Sequence, residues 1–123
     1  FDFDFSPDNR LLAIAGWDGN ITLWRIPTGE HVQTLTGRHG QGLCVQFTPD
    51  GKTLAAGAKG GLTLWNVATG SELIRLLEGE AVPRIRFTPN GETLACLIDP
   101  FREVHPTICK ILSAPFREGL DNQ

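Results

Sequence analysis

Side chains able to do covalent or acid–base chemistry are few and scattered in this sequence. Nucleophilic catalysis needs a hydroxyl or thiol within reach of a base that a third group orients. Ser6, Ser71 and Ser113 each stand in a turn phrase, where a hydroxyl ordinarily caps neighbouring backbone, and the histidines are only His31, His39 and His105. A zinc site would need close pairs of ligands. Cys44, Cys96 and Cys109 are an odd number spread through apolar runs, and neither His39 before Cys44 nor His105 before Cys109 supplies that spacing. Asp2 and Asp4 flank Phe3 and could face a cation, yet the simpler reading is a pair of solvated carboxylates on a strand face. Two glycine-rich stretches, Gly37-Arg38-His39-Gly40-Gln41-Gly42 and Gly57-Ala58-Lys59-Gly60-Gly61, do not lead from a strand into a helix, so they read as connections and not as phosphate cradles. No catalytic residue, cofactor or metal ligand is assigned.

The elements that must position any working residue are set by a repeat. One phrase occurs three times, as Phe5-Ser6-Pro7-Asp8-Asn9, Phe47-Thr48-Pro49-Asp50-Gly51 and Phe87-Thr88-Pro89-Asn90-Gly91. A second, Thr22-Leu23-Trp24-Arg25-Ile26, returns 41 residues later as Thr63-Leu64-Trp65-Asn66-Val67, and Thr28-Gly29 returns at the same spacing as Thr69-Gly70. A shared period of this length defines a structural unit. Within the first unit, Pro7-Asp8-Asn9, Asp18-Gly19 and Pro27-Thr28-Gly29 are turn signals, with Asp18-Gly19 marking a two-residue hairpin. Between them lie apolar or alternating runs at 11–15, 21–26 and 31–36, and the second unit repeats the order at 43–47, 53–57, 62–67 and 72–77. Each unit is therefore four strands joined by tight turns. The middle strands are apolar on both faces, so the small sheets must stack face to face, as in a radial array.

Composition agrees with an ordinary globular chain: 41% hydrophobic and 20% charged residues over 123 positions. The net charge of −3 is spread singly, which argues against a nucleic-acid or membrane-surface partner. There is no methionine, so Phe1 is not read as a native start, and no signal peptide or apolar membrane span is visible. Sparse cysteines in strand-like runs point to buried thiols in a reducing compartment, so the expected location is cytoplasmic. Asn20-Ile21-Thr22 has the glycosylation pattern, which would be inert there.

Taken together, the turn phrase, the Asp18-Gly19 hairpin, the strands ending in Trp24 and Trp65, and Leu35-Thr36-Gly37-Arg38-His39 resemble the WD-repeat β-propellers. The resemblance covers nearly the whole chain. It implies blades whose first strand lines a central channel and whose fourth lies at the rim, with the loops of one face holding protein partners. The family's Trp-Asp dipeptide is replaced by Trp24-Arg25 and Trp65-Asn66, and Lys59 stands where the first unit has Asp18. The family's His, Ser or Thr, Asp and Trp network is therefore expected to be only partial. The loop face would carry Trp17, Asp18, Arg38, His39, Gln41, Lys59, Glu80, Phe101 and Arg102. For Trp17 the alternative is packing on a neighbouring blade, and for Phe101 a loop folded over a degenerate unit. Trp24 and Trp65 are expected to be buried between blades.

The third unit keeps its turn phrase and the run at 94–98, then replaces the hairpin by a longer loop at 99–106 and places Cys109 where tryptophan stands in the others. No fourth strand is legible after it. The expected fold is thus all-β: two full blades (1–36 and 43–77), a third at 84–112 lacking its outer strand, and a tail at 113–123. Such an arc does not close a ring alone. The implied partners are the remaining blades of the same protein, or another copy of the chain, together with a protein held on the loop face. The implied function is a non-catalytic interaction scaffold forming part of a longer propeller. The alternatives are a segment of a propeller hydrolase with its active site elsewhere, or a purely structural array.

Overall fold

The computed structural model describes residues 2–98 and the backbone of 105–110. It holds eleven strands and, among the described residues, no helix: β1 Asp2–Phe5, β2 Leu11–Ala15, β3 Ile21–Arg25, β4 His31–Leu35, β5 Gly42–Phe47, β6 Thr53–Ala58, β7 Gly61–Asn66, β8 Glu72–Leu76, β9 Arg84–Phe87, β10 Thr93–Ile98 and β11 His105–Lys110. They form antiparallel sheets in the orders β1-β2-β3-β4, β5-β6-β7-β8 and β9-β10-β11. Each sheet is one expected blade. The last strand begins at His105 and pairs with Ile98, two residues earlier than the sequence pattern suggests.

The thrice-repeated phrase is a turn held by its own side chains. Ser6 Oγ donates to Asp8 Oδ1 at 2.6 Å and accepts the Leu11 N–H at 2.9 Å, while Asp8 Oδ1 also accepts the Arg10 N–H at 3.0 Å. Thr48 with Asp50, and Thr88 with Asn90, rebuild the same set at 2.6 and 2.7 Å. The last position of the turn requires a left-handed backbone, which Gly51 and Gly91 adopt freely at φ 75° and Asn9 tolerates at φ 62°. The Asp18-Gly19 hairpin differs from expectation. Gly16 N donates to Asn20 O and Gly19 N to Gly16 O, so the loop holds three residues and ends in a left-handed glycine, the alternative geometry compatible with strand twist.

Burial follows from stacking. Ala13, Ala15, Ile21, Leu23 and Leu35 of the first blade pack against Val45, Phe47, Leu54, Ala56 and Trp65 of the second. The second blade's opposite face, with Cys44, Ala55, Leu62 and Leu64, packs against Val82, Ile85, Leu94 and Cys96 around the third. The middle blade is therefore covered on both sides, and every residue of β6 is buried. In the first blade burial alternates, because Leu12, Ile14, Thr22 and Trp24 face away from the second. This corrects the expectation for Trp24. It is only half-buried, resting edge-on against His31 at 5.1 Å and donating its indole N–H to Thr22 Oγ1 at 2.9 Å, whereas Trp65 is 5% exposed. The strand register of the two tryptophans is nonetheless shared, Trp24 opposite Leu12 and Trp65 opposite Leu54.

The two tryptophans should therefore differ in worth. Trp65→Ala is expected to destabilise the 123-residue chain by about 3–5 kcal/mol, the usual range for truncating a core aromatic, and Trp24→Ala by less than half as much. Denaturant unfolding of both variants checks this; equal losses would contradict the one-sided burial of the first blade.

Candidate functional site

Antiparallel order sends the hairpins β2–β3 and β6–β7 and the connections β4–β5 and β8–β9 to one end of the blades, and the turn phrases to the other. The segments at that end are locked by close backbone approaches. A side chain on Gly19 would strike Gly40 O, and one on Gly37 would strike Gly19 O, so glycine is required where the first connection crosses the first hairpin. Gly60 N donates to His39 O at 2.7 Å and Gly79 N to Gly60 O at 2.8 Å, continuing the ridge across both blades. Only the first glycine-rich stretch connects two units. The second, read as a connection from sequence, is the β6–β7 hairpin with its flanking strand ends, because its backbone belongs to one sheet.

This ridge brings together most of the residues singled out from sequence. Trp17, Asp18, Arg38, Lys59 and Glu80 are exposed on it, Trp17 at 71%. Trp17 also borders a cleft of about 640 Å³ shared with Ile14, Asn20, Thr22 and Thr34. Asp18 is partly committed to its own turn, its carboxylate accepting the backbone and side-chain N–H groups of Asn20 at 3.0 and 3.2 Å. Gln41 is half-buried, and its backbone carbonyl accepts the Lys59 backbone N–H at 3.0 Å. Phe101 and Arg102 lie outside the described residues.

His39 turns inward. Its Nδ1 lies 3.2 Å from Thr63 Oγ1, its ring occupies the space that a side chain on Gly61 would need, and its Nε2 is buried without a partner among the described residues. Trp65 Nε1 is likewise buried and unpartnered. The expected polar network is thus represented in the second blade by the single contact between Thr63 and His39. In the first blade the corresponding threonine, Thr22, holds the tryptophan instead. His39 is a packing residue of the hairpin more than a free contact residue.

A second surface lies along the first strands of the three sheets, where β1, β5 and β9 adjoin along a cleft of about 420 Å³ lined by Asp2, Asp4, Gln46, Arg84 and Arg86 among others. Asp2 and Asp4 are not the solvated carboxylates expected. Asp2 Oδ2 accepts the Val45 N–H at 3.2 Å and Asp4 Oδ2 the Phe47 N–H at 2.8 Å, so both serve as bonds between blades. Gln46 Oε1 accepts the Phe87 N–H at 2.9 Å in the same way. Gln46, Arg84 and Arg86 were not singled out from sequence. A readable signal existed, since Asp4, Gln46 and Arg86 all precede the phenylalanine of the turn phrase. Among the described residues no group of histidines, cysteines and carboxylates is gathered to hold a metal ion.

Burial raises the Asp4 carboxyl above its ordinary 3.8, although the Phe47 N–H bond acts the other way. Burial likewise pushes the Cys44 thiol up to about 12; its Sγ donates to Val82 O at 3.3 Å. Cys96 is also buried, as expected, and the side chain of Cys109 lies outside the described residues.

With this geometry in place, comparison with known proteins assigns the class. The family described as "WD domain, G-beta repeat" matches residues 1–25 and 29–66, just over half of the sequence. The chain belongs to the WD-repeat family, whose repeats generally mediate protein–protein interaction. It is similar to meiotic recombination protein rec14 of Schizosaccharomyces pombe, 31% identical over 96 residues, which are 76% of this chain and 32% of that protein. WD repeat-containing protein 82 of Drosophila melanogaster is 40% identical over 53 residues, 42% of this chain and 17% of that protein. Guanine nucleotide-exchange factor SEC12 of Mus musculus is 36% identical over 53 residues, 43% of this chain and 13% of that protein. The chain spans about a third or less of the length of these relatives.

Two outcomes follow from the titrating groups. Because folding raises the Asp4 value, the native chain binds its proton more tightly than the unfolded chain does. The Asp4 contribution is therefore greatest below the unfolded value and is lost as pH rises through the native value. Asp4→Asn keeps an acceptor for Phe47 without the charge, so its stability relative to the native sequence should climb as pH rises from about 3 to about 7, as denaturant unfolding across that range would show. Cys44 should resist thiol reagents at about pH 8 until the chain unfolds, as mass-spectrometric labelling would show; rapid native labelling would contradict its burial.

Proposed function

We propose that this chain is a non-catalytic segment of a WD-repeat scaffold, part of a longer propeller, that holds a protein partner on the ridge where hairpins and connections meet. The observation that carries the reading is the placement of Trp17, Asp18, Arg38, Lys59 and Glu80, all exposed, on backbone fixed by glycine contacts. Aromatic and arginine side chains are the usual anchors of interfaces, and a rigid support reduces the entropy lost when they are covered. Mixed charge on the ridge suits a protein surface better than a polyanion. Phe101 and Arg102 belong to the proposed surface on sequence grounds alone.

A scaffold is favoured over a propeller hydrolase by what the carboxylates of the first strand do. Asp2 and Asp4 accept backbone N–H groups across a blade interface, a structural duty that leaves them poorly placed to bind a metal or activate water. The burial of the Cys44 thiol fits the proposed cytoplasmic location.

The reading is tested by replacing Trp17 and Arg38 by alanine and measuring partner capture and unfolding together. Capture is expected to fall about tenfold or more with an unchanged unfolding midpoint. Loss of stability without loss of capture would assign Trp17 to packing against a neighbouring blade.

A further inference from the structure

The cleft along β1, β5 and β9 gathers hydrogen-bond donors from which no described residue accepts. Arg84 and Arg86 alternate on β9 with Ile85, which is buried in the core between the second and third sheets. Alternate residues of a strand share a face and stand about 7 Å apart, so both guanidiniums leave β9 on one side, and both line the cleft. Each is exposed, and neither forms an ion pair with a described residue. Gln46 lines the same cleft from β5. Its Oε1 is held by the Phe87 N–H, which sets the orientation of the amide and leaves its NH2 as the end with hydrogen bonds to give.

The carboxylates of β1 do not answer these donors. Asp2 and Asp4 each hold an amide of β5 through Oδ2, and neither comes within ion-pair distance of an arginine, although Arg86 is near enough to favour the ionised form of Asp4. The backbone leading into β9 is fixed as well, since Val82 N donates to Ala58 O at 3.0 Å and Val82 O accepts from Cys44 Sγ at 3.3 Å. Two like charges are thus carried side by side on a strand that is held in place, and an anion between them is attracted by both.

The donor set selects among anions. A carboxylate has two oxygens and is fully met by one guanidinium fork, whereas a phosphate group has three terminal oxygens and nearly two charges, matching three donor side chains and two positive charges. A volume of about 420 Å³ is that of a small-molecule pocket. Asp2 and Asp4 along one side repel further negative charge, which favours a single phosphate over a polyphosphate or a nucleic-acid strand.

We propose that Arg84, Arg86 and Gln46 form a binding site for the phosphate group of a small phosphate monoester in the cleft along the first strands. The site stands independently of what the loop ridge holds.

Calorimetric titration of glycerophosphate into the protein at about pH 7.5, where the ester is a dianion, tests it. Saturable binding is expected with a Kd of about 1 mM or tighter, and Arg84→Gln and Arg86→Gln should each weaken it about tenfold with an unchanged unfolding midpoint. Should either variant lose stability, the unaltered protein still decides, because the ester is expected to shift the Arg84 and Arg86 Nε–H signals in NMR spectra. Shifts confined to other arginines would overturn the proposal, as would undiminished affinity in both variants, equal saturation by acetate, or binding that sodium chloride of the same ionic strength abolishes. Inorganic phosphate is expected to bind the same residues more weakly, since the cleft has room beyond the phosphate group; equal binding would assign the site to the free ion and overturn the ester. A phosphoserine peptide that binds about tenfold more tightly than glycerophosphate would place the phosphate on a protein chain and overturn the small-molecule assignment.

Discussion

Burial of one blade face against the next is the constraint on which the molecule depends. A four-stranded sheet of four- to six-residue strands has two faces and too little area to cover either by itself, so its apolar side chains are buried only when another sheet lies over them. The consequence is visible as a gradient. The middle blade, covered on both sides, is buried along all of β6 and nearly all of β7, whereas the first blade alternates between buried and open positions. Equivalent residues differ in environment only because their neighbours differ. Trp24 and Trp65 occupy one register and yet are half-buried and buried respectively.

Face packing orders the apolar side chains but leaves polar backbone at the inner edge. Asp2, Asp4 and Gln46 answer that need with acceptors, each spanning from one blade to the next. The bonds are directional, so they distinguish the leading side of a blade from its trailing side in a way that apolar contact does not. Their energetic weight is modest for each bond, since folding exchanges water for protein partners. Their larger effect is on register, because a strand displaced by one residue would turn both the phenylalanine and its amide the wrong way.

Reduction of the family's internal polar network to the contact between Thr63 and His39 in the second blade fits this distribution of work. Lys59 offers no carboxylate in the second blade, and among the described residues His39 and Trp65 each keep a buried nitrogen without a partner. Stacking, turn phrases and inner-edge bonds hold the blade in their absence. The loop end is fixed separately, by glycines at crossing points, where even a methyl group would collide with a carbonyl oxygen. Exposed side chains can vary on such a frame without moving it, which is the usual relation between a rigid scaffold and the loops that act.

Strand order, turn positions and the all-β class were legible in the sequence because each is a local matter. A hydroxyl two residues before a carboxyl or amide closes the turn at Ser6, Thr48 and Thr88 whatever lies beyond it, and alternation marks the strands that follow. The positions of Trp17, Arg38 and Lys59 at one end follow from antiparallel order alone. The fates of Asp2 and Asp4 were not legible, since a carboxylate on a strand reads as solvated until a neighbouring sheet brings the amides of Val45 and Phe47 to it. Nor could sequence separate Trp24 from Trp65, or reveal that His39 turns toward Thr63. Those outcomes depend on which sheet covers which face, a relation between residues some forty positions apart that no local pattern encodes. Local chemistry determined the blades, and only their stacking decided which side chains became core, bridge or surface.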